Sequence, residues 1–380
     1  MAQFQKPIPG SAPATQKYPG RFPARNFRKI PFELNGRAPL VFSPSYDLAI
    51  GQSIPANRYP FDFSKRGRAF AMVSTALNLK ADRTYSPREA SDRELELVHP
   101  REYLKSLLDP VLISRVMGIP ELATLSASHL HDSLLQPLRV ATGGTILGAR
   151  LALEHGWAFN FSGGFHHAHK EKAEGFCFFA DTAIAVRALW EQRPELNVII
   201  VDVDAHGMNG IWEILGHDPR ISLFDIYNRE IYPVSGSTTL PYPEPPPGSA
   251  AKSKYEFSRF LFPVEGRISD QDYLGLLWRN LPLAIASVPE PRLMICHLGQ
   301  DPLLGDKLGY MSLSEQAILR RDAYLFDQAI VNNIPVLALL AGGYSPNSAG
   351  LIAKSLLNIV HRSIDGPLND GPLTNWPVTA

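Results

Sequence analysis

The residues Asp202, Asp204 and His206 alternate along the run Val198-Ile199-Ile200-Val201-Asp202-Val203-Asp204-Ala205-His206. The run starts apolar and β-branched and ends polar, so it reads as a buried strand emerging from a core. Side chains two apart share a strand face, which would point two carboxylates and an imidazole the same way. That donor set suits a borderline divalent metal such as zinc. A strand leading into an ordinary polar turn accounts for the triplet taken alone, but three further segments repeat the pattern. Trp157–Phe161 runs into Ser162-Gly163-Gly164-Phe165-His166-His167, placing adjacent histidines behind a tight glycine turn, where acid/base chemistry is plausible. Arg292–Leu298 is followed by Gly299-Gln300-Asp301, and Asp301 with Asp204 and His206 makes the three-ligand set of a catalytic zinc centre with an open position. Leu339-Leu340-Ala341-Gly342-Gly343 ends at Tyr344, whose phenol could donate to a polarised carbonyl oxygen.

Strands that place such groups at their carboxyl ends belong to an open α/β sheet. Strand patterns are read at Leu40–Ser43, Trp157–Phe161, Val198–Asp204, Ile221–Ile226, Arg292–Leu298 and Ile334–Leu340. Helical patterns are read at Gly144–His155, Phe178–Gln192, Asp270–Ile285, Ser312–Val331 and Ser345–Ile364. The alternation predicts an α/β fold, a mainly parallel central sheet flanked by helices. With no internal repeat or clear linker, one catalytic domain over 31–380 is expected. Residues 1–30 carry six basic and no acidic residues among many prolines and read as a basic extended arm. The proline-rich stretch 233–254 reads as a surface loop.

Lys and Arg (37) balance Asp and Glu (37), so no global field favours nucleic acid or an anionic membrane. Hydrophobic content of 45% is that of a globular protein, and no apolar stretch is long enough to span a bilayer. Two isolated cysteines, Cys177 and Cys296, make neither a disulfide framework nor a cysteine zinc site. An intracellular, cytoplasmic location is the expectation. Oligomeric state is not legible.

Taken together, these motifs resemble the zinc-dependent histone deacetylases of the arginase–deacetylase fold, most closely their class IV branch. The resemblance runs over roughly Pro39–Leu357. Besides the segments above it includes Arg88-Glu89-Ala90-Ser91, His99-Pro100-Arg101-Glu102-Tyr103-Leu104, Thr142-Gly143-Gly144-Thr145, Gly175-Phe176-Cys177, Asp225-Ile226-Tyr227-Asn228-Arg229 and Gly305-Asp306-Lys307-Leu308-Gly309. It implies that Asp204, His206 and Asp301 ligate zinc, that His166 and His167 are the tandem histidines, and that Asp202 pairs with the first of them. It also implies that Tyr344 polarises the acyl carbonyl, and that Gly175 and Phe176 wall an acyl-lysine tunnel. A structural potassium ion is implied around Asp202, Asp204, His206 and Asp225. In most of the wider family an aspartate orients the second histidine; here the matching residue is Asn209, as in class IV. A neutral amide raises the pKa of His167 less than a carboxylate would. The turn Gly207-Met208 departs from the Gln-Gly usual there, and Met208 stands where a binuclear arginase needs another carboxylate, which argues against a manganese ureohydrolase. The implied activity is hydrolysis of acetyl, or longer fatty acyl, amides on lysine ε-amines of proteins or peptides. A small-molecule amide hydrolase, such as an acetylpolyamine deacetylase, is the alternative.

Overall fold

β-Branched and aromatic runs with turn residues at both ends become strands here because both of their faces are covered. In the computed structural model, which describes residues 36–54, 58–233 and 259–361, seven strands form one sheet. They are β1 (Leu40–Val41), β2 (Trp157–Asn160), β3 (Val198–Asp202), β4 (Ile221–Asn228), β5 (Arg259–Val264), β6 (Leu293–His297) and β7 (Val336–Leu339). The order is β1-β2-β7-β6-β3-β4-β5 and every pairing is parallel. The central strands β2, β3, β4, β6 and β7 are buried at every position. The expected basic arm over 1–30 and nearly all of 233–254 lie outside the described residues.

This order creates the site. The chain leaves β3 toward β4 on one side and leaves β6 toward β7 on the other, so connections diverge at the β3–β6 seam. A crevice opens outside the carboxyl ends of the strands at such a switch point. The register sets Asp202 level with His297 on β6 and Asp225 on β4. Asp204, His206 and Asp301 all follow within a few residues of that seam.

All six expected strands form, with ends shifted by one or two residues. β5 was not anticipated. It is an edge strand, only partly buried, and holds Pro263, so its pattern is weak. The Gly144–His155 helix begins earlier, at Gln136. The longer helix contains Gly143 and Gly144, each of which costs about 1 kcal/mol in a helix interior. Tertiary packing requires them: a Cβ at Gly143 would lie 1.9 Å from the Arg88 carbonyl oxygen, and one at Gly144 would lie 1.9 Å from Tyr46 Oη. The helix expected from Ser312 starts at Glu315, because Ser314 caps it by accepting from the Ala317 N–H. Helices before residue 136, such as Lys65–Ala76 and Pro110–Met117, are additional to those read from the sequence, although Asp109, Pro110 and Gly118 carry the start and stop signals of the second.

Candidate active site

The tandem histidines are placed by a turn with no room for side chains. Gly163 and Gly164 have φ of +81° and +77°, and a Cβ at Gly163 would lie 2.5 Å from Thr145 Oγ1. The N–H groups of Gly164 and Phe165 donate to the buried carboxylate of Asp181 at 2.9 and 2.8 Å. Asp181 is itself held from behind. His99 Nε2 accepts from the Ala180 N–H at 2.9 Å, and Tyr103 Oη donates to the Phe178 carbonyl at 2.6 Å. The His99–Tyr103 motif therefore shapes the segment that aims His166 and His167, which also explains why the helix expected from Phe178 starts only at Asp181.

Asp202, Asp204 and His206 do not converge as one set. Asp202, at the end of β3, turns to His166: its Oδ2 lies 2.7 Å from His166 Nδ1 and 2.8 Å from His297 Nδ1. His297 was missed in the sequence, where it ends an apolar strand and gives no separate signal. Beyond the strand end the backbone leaves extended geometry. His206 Nδ1 then lies 3.0 Å from Asp204 Oδ1 and 3.1 Å from Asp301 Oδ2. The N–H of Ala205 donates to Asp301 Oδ1 at 2.9 Å, and that of Gly342 to Asp204 Oδ2 at 2.8 Å. Gly299 and Gly342 are glycine because a Cβ would meet these carboxylates at 2.2 and 2.4 Å. The fully buried Arg321 donates to the carbonyls of Val203 and Gly299, both at 2.8 Å, tying together the loops that carry Asp204 and Asp301.

The electrostatics suit a cation. Burial and the charge of Asp204 push the Asp301 carboxyl up to about 7. Burial opposes charge on His206, yet its bonds to Asp204 and Asp301 raise it to about 10. Two buried carboxylates and an imidazole nitrogen within 4.8 Å of one another are a donor set that fits zinc. Burial likewise opposes charge on His166, but Asp202 and Asp204 carry it to about 9. His167 differs: burial, then the neighbouring His166 and His206, press it well below the usual histidine value. Its Nδ1 lies 2.7 Å from Asn209 Oδ1. Burial and the acids Asp301 and Asp204 hold the Tyr344 phenol well above its ordinary value.

A cavity of about 90 Å³ is lined by His166, His167, Asp204 and Tyr344. Phe176, at φ +67°, packs edge-on against Phe61 at 4.6 Å and stands 6.1 Å from the Tyr344 ring. Gly175 backs onto His167: a Cβ there would lie 2.3 Å from His167 Cδ2. Tyr232, unremarked in the sequence, stacks edge-on against His167 at 4.9 Å. Leu48, Met117, Leu134 and Leu138 line the same cavity. Asp225 lies outside this cavity, fully buried in β4, where it accepts from the Met208 N–H at 3.1 Å.

A parallel seven-stranded sheet with acid, histidine and tyrosine side chains gathered at its carboxyl edge defines an α/β fold of the arginase–deacetylase type. The chain belongs to the histone deacetylase family, since the model of the histone deacetylase domain matches residues 60–360. It is 34% identical over 328 residues to histone deacetylase 2 of Arabidopsis thaliana, covering 86% of this chain and 79% of that protein. It is 27% identical to an uncharacterised protein of Picosynechococcus, covering 86% of this chain and 97% of that protein. A solved structure of an HDAC homologue complexed with SAHA shares the fold at TM-score 0.63 and 22% identity, over 85% of this chain and 83% of that one. The HDAC homologue from Aquifex aeolicus does so at TM-score 0.62 and 21% identity, over 84% and 82%. Among the described residues, no helix is long and apolar enough to cross a membrane.

Proposed function

We propose that the protein hydrolyses the amide between an acyl group and a lysine ε-amine, with one zinc ion held by Asp204, His206 and Asp301. The observation that carries this reading is the approach of His206 Nδ1 to both carboxylates beside a narrow aromatic channel. Zinc at such a site acidifies water and polarises a carbonyl. His167 Nδ1 donates to Asn209, which leaves Nε2 as the lone pair that removes a proton from the attacking water and later returns it to the departing amine. His166, whose Nδ1 bonds to Asp202 at 2.7 Å, would turn its other ring nitrogen to the developing oxyanion. Tyr344 donates to that oxyanion. Phe176 and Phe61, which line the cavity, would flank the lysine methylenes.

Asn209 in place of an aspartate supports assignment to the class IV branch. The cavity is walled on its apolar side by Met117, Leu134 and Leu138, the side chains an acyl chain would meet. The same reading places a structural potassium ion around Asp202, Asp204, His206 and Asp225. Burial and the charge of Asp202 push the Asp225 carboxyl up, a strain that a cation would relieve.

A panel of Nε-acyl-lysine peptides of rising acyl length, run beside acetylated polyamines, tests the proposal. Turnover of the acyl-lysine peptides is expected, and its dependence on chain length reads the depth of the acyl pocket. Turnover confined to polyamines would instead support the small-molecule hydrolase.

A further inference from the structure

The side chain that orients His167 is a neutral amide, and an amide can be turned around. An aspartate accepts a proton whichever oxygen it presents. Asn209 accepts from His167 only with Oδ1 inward; a 180° flip presents a donor, moves the His167 proton to Nε2 and removes the base. The orientation therefore needs a lock on the far side of the amide.

That side holds His169, Glu213 and Glu174. Asn209 Nδ2 lies 3.2 Å from His169 Nε2 and 3.5 Å from Glu174 Oε2. A carboxylate only accepts, so Glu174 favours the amide with Nδ2 outward. His169 is buried, and its Nδ1 bonds to the carboxylate of Glu213. In the tautomer with the proton on Nδ1, shared with Glu213, Nε2 accepts from Asn209. Glu174 Oε2 also stands 3.2 Å from His169 Nε2, and Glu174 is committed by the Tyr232 hydroxyl, which donates to it at 2.8 Å, and by an ion pair with Lys172. The chain of partners runs Glu213–His169–Asn209–His167, from the half-exposed surface to the base.

We infer that Glu213 and His169, with Glu174, are positioning residues that hold the Asn209 amide in the single orientation in which His167 serves as base. This rests on the amide-hydrolase reading for its catalytic consequence and on geometry alone for the tautomer.

The test compares zinc-loaded wild type with Glu213→Ala, Glu213→Gln and His169→Leu. The imidazole tautomer of His167 is read by ¹⁵N NMR on histidine-labelled protein, and kcat and KM are read on an acetyl-lysine peptide. Glu213 is 44% exposed, so its variants should fold. In wild type the His167 proton sits on Nδ1. Glu213→Ala and His169→Leu should populate the Nε2–H form and lower kcat roughly tenfold with KM unchanged, in the range for partners that orient a functional histidine. Glu213→Gln keeps an oxygen for His169 and should retain the wild-type tautomer and most of the turnover. An unaltered tautomer in both Glu213→Ala and His169→Leu overturns the inference, as does equal loss in Glu213→Ala and Glu213→Gln. The NMR reading needs no substrate. If wild type hydrolyses no acyl-lysine amide, the proposed activity falls while the lock is still tested.

Discussion

The ammonium of Lys65 donates to the carbonyl of Gly343 at 3.0 Å across 278 positions of chain, and reaches the carbonyls of Gly342 and Ala341 at 3.1 and 3.4 Å. This loop is strained at Ala341, which has φ +50°. Such backbone persists only where its surroundings over-determine it. Lys65 holds its carbonyls, while Asp204 accepts from the Gly342 N–H at 2.8 Å and Asp306 from the Tyr344 N–H at 2.6 Å. Lys65→Met should leave buried carbonyls unpaired and lower stability by about 1–3 kcal/mol. Turnover should fall on the order of tenfold with zinc content intact. Urea unfolding and metal analysis check it; unchanged turnover would exclude the clamp.

Tyr344→Phe should separate binding from catalysis. The ring packs with Phe176 and Phe61, and Phe preserves those contacts. Loss of one oxyanion donor should lower kcat by roughly 10²–10³-fold, while the affinity for an acyl-lysine peptide stays near wild type because the ground-state carbonyl is bound more weakly. Loss of folding or zinc instead would make Tyr344 a packing residue.

Metal content distinguishes ligands from base. Asp204→Ala and His206→Ala should lose stoichiometric zinc. His167→Ala should retain it and lose about 10²–10⁴-fold in turnover. Elemental analysis after dialysis reads the first outcome, and full zinc in both ligand variants would refute the assignment.

His99 predicts an acid-sensitive fold. Burial, aided by the nearby Arg187 charge and opposed by the bond to the Lys170 carbonyl, lowers it to about 4. Its Nε2 accepts from Ala180 and its Nδ1 donates to Lys170 at 2.9 Å, so neither nitrogen has room for another proton. The folded pKa lies below the unfolded value near 6.5, so the unfolded chain binds the extra proton. Stability is full above about pH 6.5 and is lost as pH falls toward 4, by up to about 3 kcal/mol. Urea midpoints from pH 7 to 4.5 should show this, and His99→Gln should flatten that part of the slope.

The residues of this site were legible because each stands where an apolar strand stops. Asp204, His206, Asp301, His166, His167 and Tyr344 all follow buried runs, and strand ends at a switch point are where open sheets bring groups together. What the linear pattern could not carry was direction. Alternation placed Asp202 with Asp204 and His206, but the chain leaves extended geometry after Asp202, so Asp202 turns to His166 and His297 instead. Nor could it carry partners remote in sequence. Asp181, Lys65, Arg321 and Glu213 act through backbone carbonyls, N–H groups or another histidine, and nothing in their own neighbourhoods marks them. The sequence by itself determined which strands form and which groups end them, since both follow from local hydrophobic pattern. Only the tertiary structure decided which of those groups face one another, because that depends on strand order and on the buried polar atoms that must find partners once water is excluded.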